Sequence, residues 1–188
     1  QCFSLCALWF GVVAGQSLPH GPFAGGVTST SARFYLRAAP AGLANIQLAQ
    51  SIDFNQRLLG QPVTTEVSRD FVALINIENL SQDRLYYYQS LINGLPVWEV
   101  RSFKTFPRDG ERTPLHFAFG SCIASPGQPR PGDGRVFEVM ARDQPRFFLH
   151  IGDWGYPDNT DTPQNPTNVF SADFARLQRS YRAKYDTS

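Results

Sequence analysis

Three residues that can bind metal ions follow two short apolar segments of the sequence. Cys122 follows the apolar segment 115–119, and Asp153 and Tyr156 follow the apolar segment 147–151. A glycine, which lets the backbone turn sharply, lies between each segment and its first candidate ligand. Carboxylate and phenol oxygens are hard donors that suit hard cations such as Fe³⁺ or Ca²⁺. The alternative is that Asp153 is a turn or capping residue and that Tyr156 is a surface aromatic.

The first residues of the chain have the character of a secretion signal. The apolar segment 3–14 has about the length of a signal-peptide core and is far too short to span a bilayer. The alternative is a first buried strand or helix. Removal of residues 1–14 would place the protein outside the cytoplasm, secreted or periplasmic, with Cys122 as its only cysteine. Such a cysteine is expected to pair, react or bind metal, although a buried apolar thiol is common.

The composition excludes some classes of function. The chain has 188 residues, of which 42% are hydrophobic, and its formal net charge is +1. These values are typical of packed globular domains, and the basic residues are not clustered as a nucleic-acid surface requires. The sequence predicts no stable membrane span, and it contains no P-loop, no Gly-x-Ser-x-Gly and no His-Glu-x-x-His motif.

Alternating apolar residues and turn signals predict a β-sandwich between residues 20 and 106. Ala32, Phe34, Leu36 and Ala38 would share one face of a strand, and Asn93-Gly94 is a strong hairpin signal. Six or seven strands fit into this stretch. Tyr86, at the start of an aromatic-rich strand, is placed as in the tyrosine corner of immunoglobulin-like and fibronectin type III-like domains. An ordinary strand tyrosine is the alternative.

The sequence pattern changes after a polar linker at residues 107–114. Apolar segments at 115–119 and 146–151 predict two strands, and the spacing between 134 and 142 predicts a helix between them. Strand–helix–strand order indicates a parallel pair at the start of an α/β domain, which would bring Cys122 and Asp153 to one sheet edge. A further helix is predicted from residue 171 onward.

Two core motifs, in this domain order, resemble those of a known family. The matching stretches are Phe117-Ala118-Phe119-Gly120-Ser121-Cys122, Leu149-His150-Ile151-Gly152-Asp153-Trp154-Gly155-Tyr156, His20-Gly21-Pro22-Phe23-Ala24-Gly25-Gly26-Val27, Ser31-Ala32-Arg33-Phe34-Tyr35-Leu36-Arg37 and Ser180-Tyr181-Arg182-Ala183-Lys184-Tyr185. They resemble the N-terminal part of the PhoD-like alkaline phosphatases and phosphodiesterases. The resemblance implies a β-sandwich over residues 15–106, the linker 107–114, and an incomplete metallophosphatase domain over residues 115–188.

The same resemblance implies a site and a reaction. Cys122, Asp153 and Tyr156 would bind Fe³⁺, Asp153 would also reach Ca²⁺, and a metal-activated water would hydrolyse small phosphate mono- or diesters. Such proteins have further ligands in later motifs, which this sequence does not include. We therefore expect the 188 residues to be a fragment that alone hydrolyses no phosphate ester at a useful rate.

Two other assignments remain open. Purple acid phosphatases also join a β-sandwich to a metallophosphatase domain and use Gly-Asp-x-x-Tyr, but their first motif supplies an aspartate where this chain has Gly120-Ser121-Cys122. The other is a β-sandwich binding module fused to a non-catalytic phosphatase remnant.

Overall fold

The computed structural model describes residues 17–122 and 135–153, together with residues 174, 175 and 178. Ten strands and one α-helix lie in these ranges, and the three separate residues are helical. The elements are β1 (Ser17–Gly25), β2 (Ala32–Ala39), β3 (Leu43–Ala49), β4 (Leu58–Leu59), β5 (Val63–Thr64), β6 (Val72–Ile77), β7 (Leu85–Ile92), β8 (Leu95–Lys104), β9 (Ala118–Gly120), α1 (Arg135–Asp143) and β10 (Phe148–His150).

The first eight strands form two facing antiparallel sheets. One sheet has the order β1-β2-β6, and the other has the order β4-β3-β7-β8 with β5 paired to β3. Along β2 the burial alternates strictly, with Ala32, Phe34, Leu36 and Ala38 almost inaccessible to water. Successive side chains of a strand point to opposite faces, so this alternation places the apolar set between the sheets. The predicted β-sandwich is confirmed.

The core lies between the two sheets and is centred on aromatic residues. The ring of Phe34 lies 5.0 Å from that of Tyr88 and 5.7 Å from that of Phe103. Such tilted and edge-on pairs stabilise beyond the area that they bury. Aliphatic side chains of β3 and β6, among them Ile46, Leu48 and Ile75, complete the same cluster.

A tight hairpin joins β7 to β8 at the predicted Asn-Gly turn. Ile92 pairs with Leu95, and the two residues between them have positive φ angles, 50° at Asn93 and 81° at Gly94. Positive φ at both central positions is the requirement of a type I′ turn, which asparagine followed by glycine meets at least cost. The Asn93 side chain also accepts a hydrogen bond from the backbone N–H of Leu43 at 2.8 Å. The turn therefore also binds the start of β3.

The predicted tyrosine corner is present at the start of β7. Tyr86 is 3% exposed, and its hydroxyl oxygen accepts a hydrogen bond from the backbone N–H of Ser81 at 2.8 Å. The hydroxyl of Thr105 donates to the carbonyl of Ser81 at 2.7 Å, and the N–H of Arg84 donates to that hydroxyl at 2.9 Å. These bonds fix the loop before β7 against the end of β8.

The strands β9 and β10 form a separate parallel pair, as the strand–helix–strand order predicted. Ala118, Phe119 and Gly120 pair with Phe148, Leu149 and His150. Both strands have three residues, fewer than the apolar segments from which they were predicted, and α1 lies one residue later than expected. The side chains of this pair are largely accessible to solvent, with Phe119 at 64% and Leu149 at 49%.

Some of the predictions concern parts of the chain outside the described residues. They are the signal segment 1–14, Tyr156 and most of the helix expected from residue 171. The division into residues 15–106, 107–114 and 115–188 stays a prediction. Within the described ranges, no helix combines the length and the apolar character needed to cross a membrane.

Candidate metal centre

The carboxyl ends of the parallel strands β9 and β10 lie side by side. The last pair of the ladder is Gly120 with His150, and the N–H of Ile151 then donates to the carbonyl of Gly120 at 2.9 Å. Beyond it, the N–H of Cys122 donates to the carbonyl of Gly152 at 3.3 Å. In parallel sheets this edge is where ligand sites are usually built.

Two of the three sequence-predicted ligands are brought together at this edge. The thiol of Cys122 donates a hydrogen bond to Oδ2 of Asp153, with sulfur and oxygen 3.3 Å apart. Both residues are exposed, and the hydroxyl of Ser121 lies 3.3 Å from the same sulfur. Tyr156 lies outside the described residues. Among those that are described, no group of three or more His, Cys, Asp or Glu side chains is arranged to hold a metal ion.

The spacing of Cys122 and Asp153 suits two ligands of one metal ion. Thiolate and carboxylate ligands bind at about 2.3 Å and about 2.1 Å, so ligands separated by about 90° to 110° lie about 3.1 to 3.6 Å apart. The observed 3.3 Å between sulfur and oxygen falls within that interval. This distance is also that of the S–H···O hydrogen bond that the two side chains form.

Both ligand positions have a left-handed backbone. The φ angle is 65° at Cys122 and 55° at Asp153, and it is 130° at Gly152 between the strand and Asp153. Aspartate tolerates this conformation better than most residues, whereas a cysteine adopts it only when the surrounding structure enforces it. Residues held in such conformations cluster at functional sites, and here the turns direct two donor groups towards each other.

Arg146, two residues before β10, joins this strand to the sandwich, a contact that was not predicted from the sequence. Its Nη2 atom donates to Oδ1 of Asp83 at 2.8 Å and to the carbonyl oxygen of Thr105. The guanidinium also lies 5.5 Å from the ring centre of Phe106. No spacing or motif marks this arginine, because its partners lie 63 and 41 positions away in the chain.

The carboxylate of Asp83 receives two cations. Nζ of Lys104 lies 2.8 Å from the same Oδ1 atom that binds Arg146. The hydrogen bonds from Lys104 and then from Arg146 hold the pKa of Asp83 below its ordinary value of 3.8. The carboxylate therefore stays ionised at neutral pH.

Aromatic stacking accompanies this polar contact. The ring of Phe147 lies 5.1 Å from that of Phe117, nearly parallel to it, and 5.8 Å from that of Phe106. Phe147 thus contacts both the segment before β9 and the end of the sandwich. A cleft of about 1320 Å³ opens beside these rings, between the sandwich and α1, and neither Cys122 nor Asp153 lines it.

Comparison with known proteins supports the fold and leaves the activity as a proposal. No protein-family model and no curated protein sequence matches the chain. The solved structure of PhoD is similar, with a TM-score of 0.66 and 20% identity, over 87% of this chain and 34% of PhoD. The chain thus spans about a third of the length of PhoD, and at this identity the likeness establishes a shared fold.

Two further solved structures match parts of the chain with lower TM-scores. The sensor domain of the anti-sigma factor RsgI4 from Pseudobacteroides cellulosolvens has a TM-score of 0.43 and 16% identity, over 54% of this chain and 99% of its own length. A fibronectin type III domain of the human KIAA0970 protein has a TM-score of 0.36 and 11% identity, over 48% and 74% of the two chains.

Proposed function

We propose that this chain contributes part of the active centre of a metal-dependent phosphoric ester hydrolase of the PhoD-like type. The observation that carries the proposal is the approach of the Cys122 thiol to the Asp153 carboxylate, 3.3 Å apart at the ends of adjacent parallel strands. The shared fold with PhoD supports it. The substrates would be small phosphate mono- or diesters, and the protein would work outside the cytoplasm.

The residues of the centre would have distinct roles. Cys122 and Asp153, with Tyr156 as a third ligand, would bind Fe³⁺, and the second carboxylate oxygen of Asp153 would be available to Ca²⁺. Bound metal ions would supply concentrated positive charge for the phosphate ester and activate water for attack on phosphorus. Metal ligands bind deprotonated, so the proton that Cys122 now donates to Asp153 would be released on binding.

The left-handed turns would contribute by fixing the ligands before the ion arrives. A site whose ligands already stand at binding distance loses less conformational freedom when it is filled. The bonds of Ile151 to Gly120 and of Cys122 to Gly152 continue the ladder up to the ligands themselves.

The test uses the full-length protein and three single variants, Cys122→Ser, Asp153→Asn and Tyr156→Phe. Asp143→Asn serves as a matched control, because Asp143 is an exposed aspartate at the end of α1. Iron and calcium content, the visible absorption spectrum, and hydrolysis of p-nitrophenyl phosphate and bis(p-nitrophenyl) phosphate are measured for each protein. The two substrates separate monoesterase from diesterase activity.

We expect each variant to change a different readout. Tyr156→Phe should bleach or shift a phenolate-to-iron charge-transfer band, and Cys122→Ser should weaken iron retention. Asp153→Asn should lower turnover most, by about a hundredfold or more, since even changes behind the ligands cost 10–100-fold. The control should resemble the wild type.

The contradictory outcomes are equally specific. A colourless, iron-free and fully active protein would exclude Fe³⁺, and full activity of Asp153→Asn would exclude the site. A purple acid phosphatase-like centre would survive Cys122→Ser with its iron and colour intact. A folded full-length protein that binds no metal and hydrolyses neither ester would favour the binding module fused to a remnant.

A further inference from the structure

Arg146 lies where the sandwich meets the segment that leads through β10 to Asp153. It precedes β10 by two residues, and its side chain is 13% exposed. Its Nη2 atom binds Asp83 and Thr105 of the sandwich, while its backbone N–H donates to the carbonyl of His116 at 2.8 Å. One residue therefore binds the sandwich with its side chain and the segment before β9 with its backbone.

The sandwich side of this contact is itself rigid. The N–H of Asp83 donates to the carbonyl of Phe106 at 3.0 Å, and the N–H of Thr105 donates to the carbonyl of Arg84 at 3.0 Å. The hydroxyl of Thr105 is bonded to Ser81 and Arg84 within the tyrosine corner. The backbones of both residues that accept from Arg146 are thus hydrogen-bonded within the sandwich.

Within the described residues, few contacts other than those near Arg146 tie the parallel pair to the sandwich. There β9 and β10 form a two-stranded sheet, with three residues in each strand and largely exposed side chains, and such a sheet is marginally stable by itself. From Arg146 the ladder continues without interruption, through the N–H of Ala118 to the carbonyl of Phe147 and the N–H of Ile151 to the carbonyl of Gly120. A shift of Arg146 would therefore be transmitted along the ladder to the turn at Asp153.

We infer that Arg146 is a positioning residue, which holds the Asp153 end of the parallel pair against the sandwich and thereby keeps Cys122 and Asp153 at ligand spacing. The catalytic part of this inference rests on the proposed hydrolase function. The mechanical part, that Arg146 helps to hold the strand pair against the sandwich, does not depend on it.

The chemistry of the contact predicts which substitution restores it. Both hydrogen bonds leave the single atom Nη2, and the buried Nε has no hydrogen-bond partner among the described residues. A lysine ammonium has three donors on one nitrogen and keeps the attraction to the Phe106 ring. Arg146→Lys should therefore preserve the contact, whereas Arg146→Met keeps the length and removes every donor.

The first measurement is amide hydrogen exchange in the wild type, Arg146→Met, Arg146→Lys and a control, Arg142→Met, at an exposed arginine of α1. In Arg146→Met the ladder amides of Ala118 and Ile151 should exchange about tenfold faster or more, because hydrogen bonds to a charged group are lost. Amides of the sandwich core, such as Ile46, should be unaffected. Arg146→Lys and the control should keep the wild-type rates.

A double-variant cycle identifies the partner. Asp83→Asn should speed the same ladder amides, and Asp83→Asn with Arg146→Met should be no faster than Arg146→Met alone. Unchanged ladder exchange in Arg146→Met, or strictly additive effects, would overturn the inference. If Arg146→Met does not fold, the other two variants test the inference. We expect the ladder amides to stay protected from exchange in Arg146→Lys and to lose protection in Asp83→Asn. The reverse pattern would overturn the inference.

The second measurement addresses catalysis in the full-length protein. Arg146→Met should lower kcat for p-nitrophenyl phosphate about tenfold and leave KM nearly unchanged, because Arg146 acts through Asp153 and does not touch the substrate. Arg146→Lys should recover kcat. A raised KM with unchanged kcat would contradict a positioning role. If the wild type hydrolyses nothing, the proposed function fails, and the exchange experiment still decides whether Arg146 fixes the strand pair.

Discussion

Tyr86→Phe tests how much the tyrosine corner contributes to the stability of the sandwich. The change removes one oxygen atom and keeps the ring, which stacks on Phe103 with 5.9 Å between centres. That oxygen accepts the N–H of Ser81 at 2.8 Å, while the amide of Gln50 is a weaker partner at 3.4 Å. Tyr86 is 3% exposed, so the change removes a buried acceptor of the Ser81 N–H.

The expected magnitude follows from that geometry. An unsatisfied buried donor costs about 1–3 kcal/mol, and because Ser81 is itself exposed, we expect the lower part of that range, about 1–2 kcal/mol. Urea unfolding should show a lower midpoint with an unchanged slope, the signature of lost stability without altered compactness. Tyr87→Phe, at the next position of β7, is the control and should change the free energy of unfolding little. A Tyr86→Phe protein as stable as this control would refute the reasoning.

Three further predictions concern the stability of the protein in acid, the close packing at Gly60 and the cleavage of the signal segment. Because the two bound cations lower the folded pKa of Asp83 below 3.8, its stabilising effect is present above that value and disappears as the pH falls through the folded pKa. In acid titrations, the free energy of unfolding should therefore fall less steeply below about pH 4 in Asp83→Asn than in the wild type. Equally steep curves for the two proteins would contradict this. Gly60→Ala should lower the free energy of unfolding in urea by about 1–3 kcal/mol, since the added methyl group would overlap the Ile75 side chain. Gly25→Ala is the control, because the methyl group added there meets open space. Equal stability of the two variants would contradict the prediction. N-terminal sequencing of the secreted full-length protein should begin near residue 15 or Gln16, and retention of residues 3–14 would disprove the signal.

The elements that the sequence predicted best are those whose pattern reports burial directly. The alternation along β2 was sufficient to predict a strand with one buried face, because a period of two is typical of such strands. The Asn93-Gly94 pair was sufficient to predict a hairpin, because these residues adopt the two positive φ angles of a type I′ turn. The strands β4 and β5, with two residues each, are too short for any pattern to show. Eight strands form the sandwich where six or seven were expected.

The sequence predicted that Cys122 and Asp153 would meet, but not the contact that supports them, and their role as metal ligands stays a prediction. Strand ends and glycines identified Cys122 and Asp153, and the parallel order brought them to one edge, where the structure places them 3.3 Å apart. The apolar segments predicted longer strands than β9 and β10, since apolar residues continue beyond the three that pair in each strand. Arg146 was missed because its bonds join distant parts of the chain and depend on how the two units meet.

The order of the elements also determines when the parallel pair can form during synthesis. All eight sandwich strands end by Lys104, whereas β9 must wait for β10 across the 27 residues from 121 to 147. At about 5–20 residues per second, translation leaves β9 without its partner β10 for roughly one to five seconds. During this interval the aromatic segment around Phe117 and Phe119 is an unpaired edge that a neighbouring nascent chain could join. A sandwich that has folded by then presents Asp83 to Arg146, and docking of this arginine would end the exposure of β9.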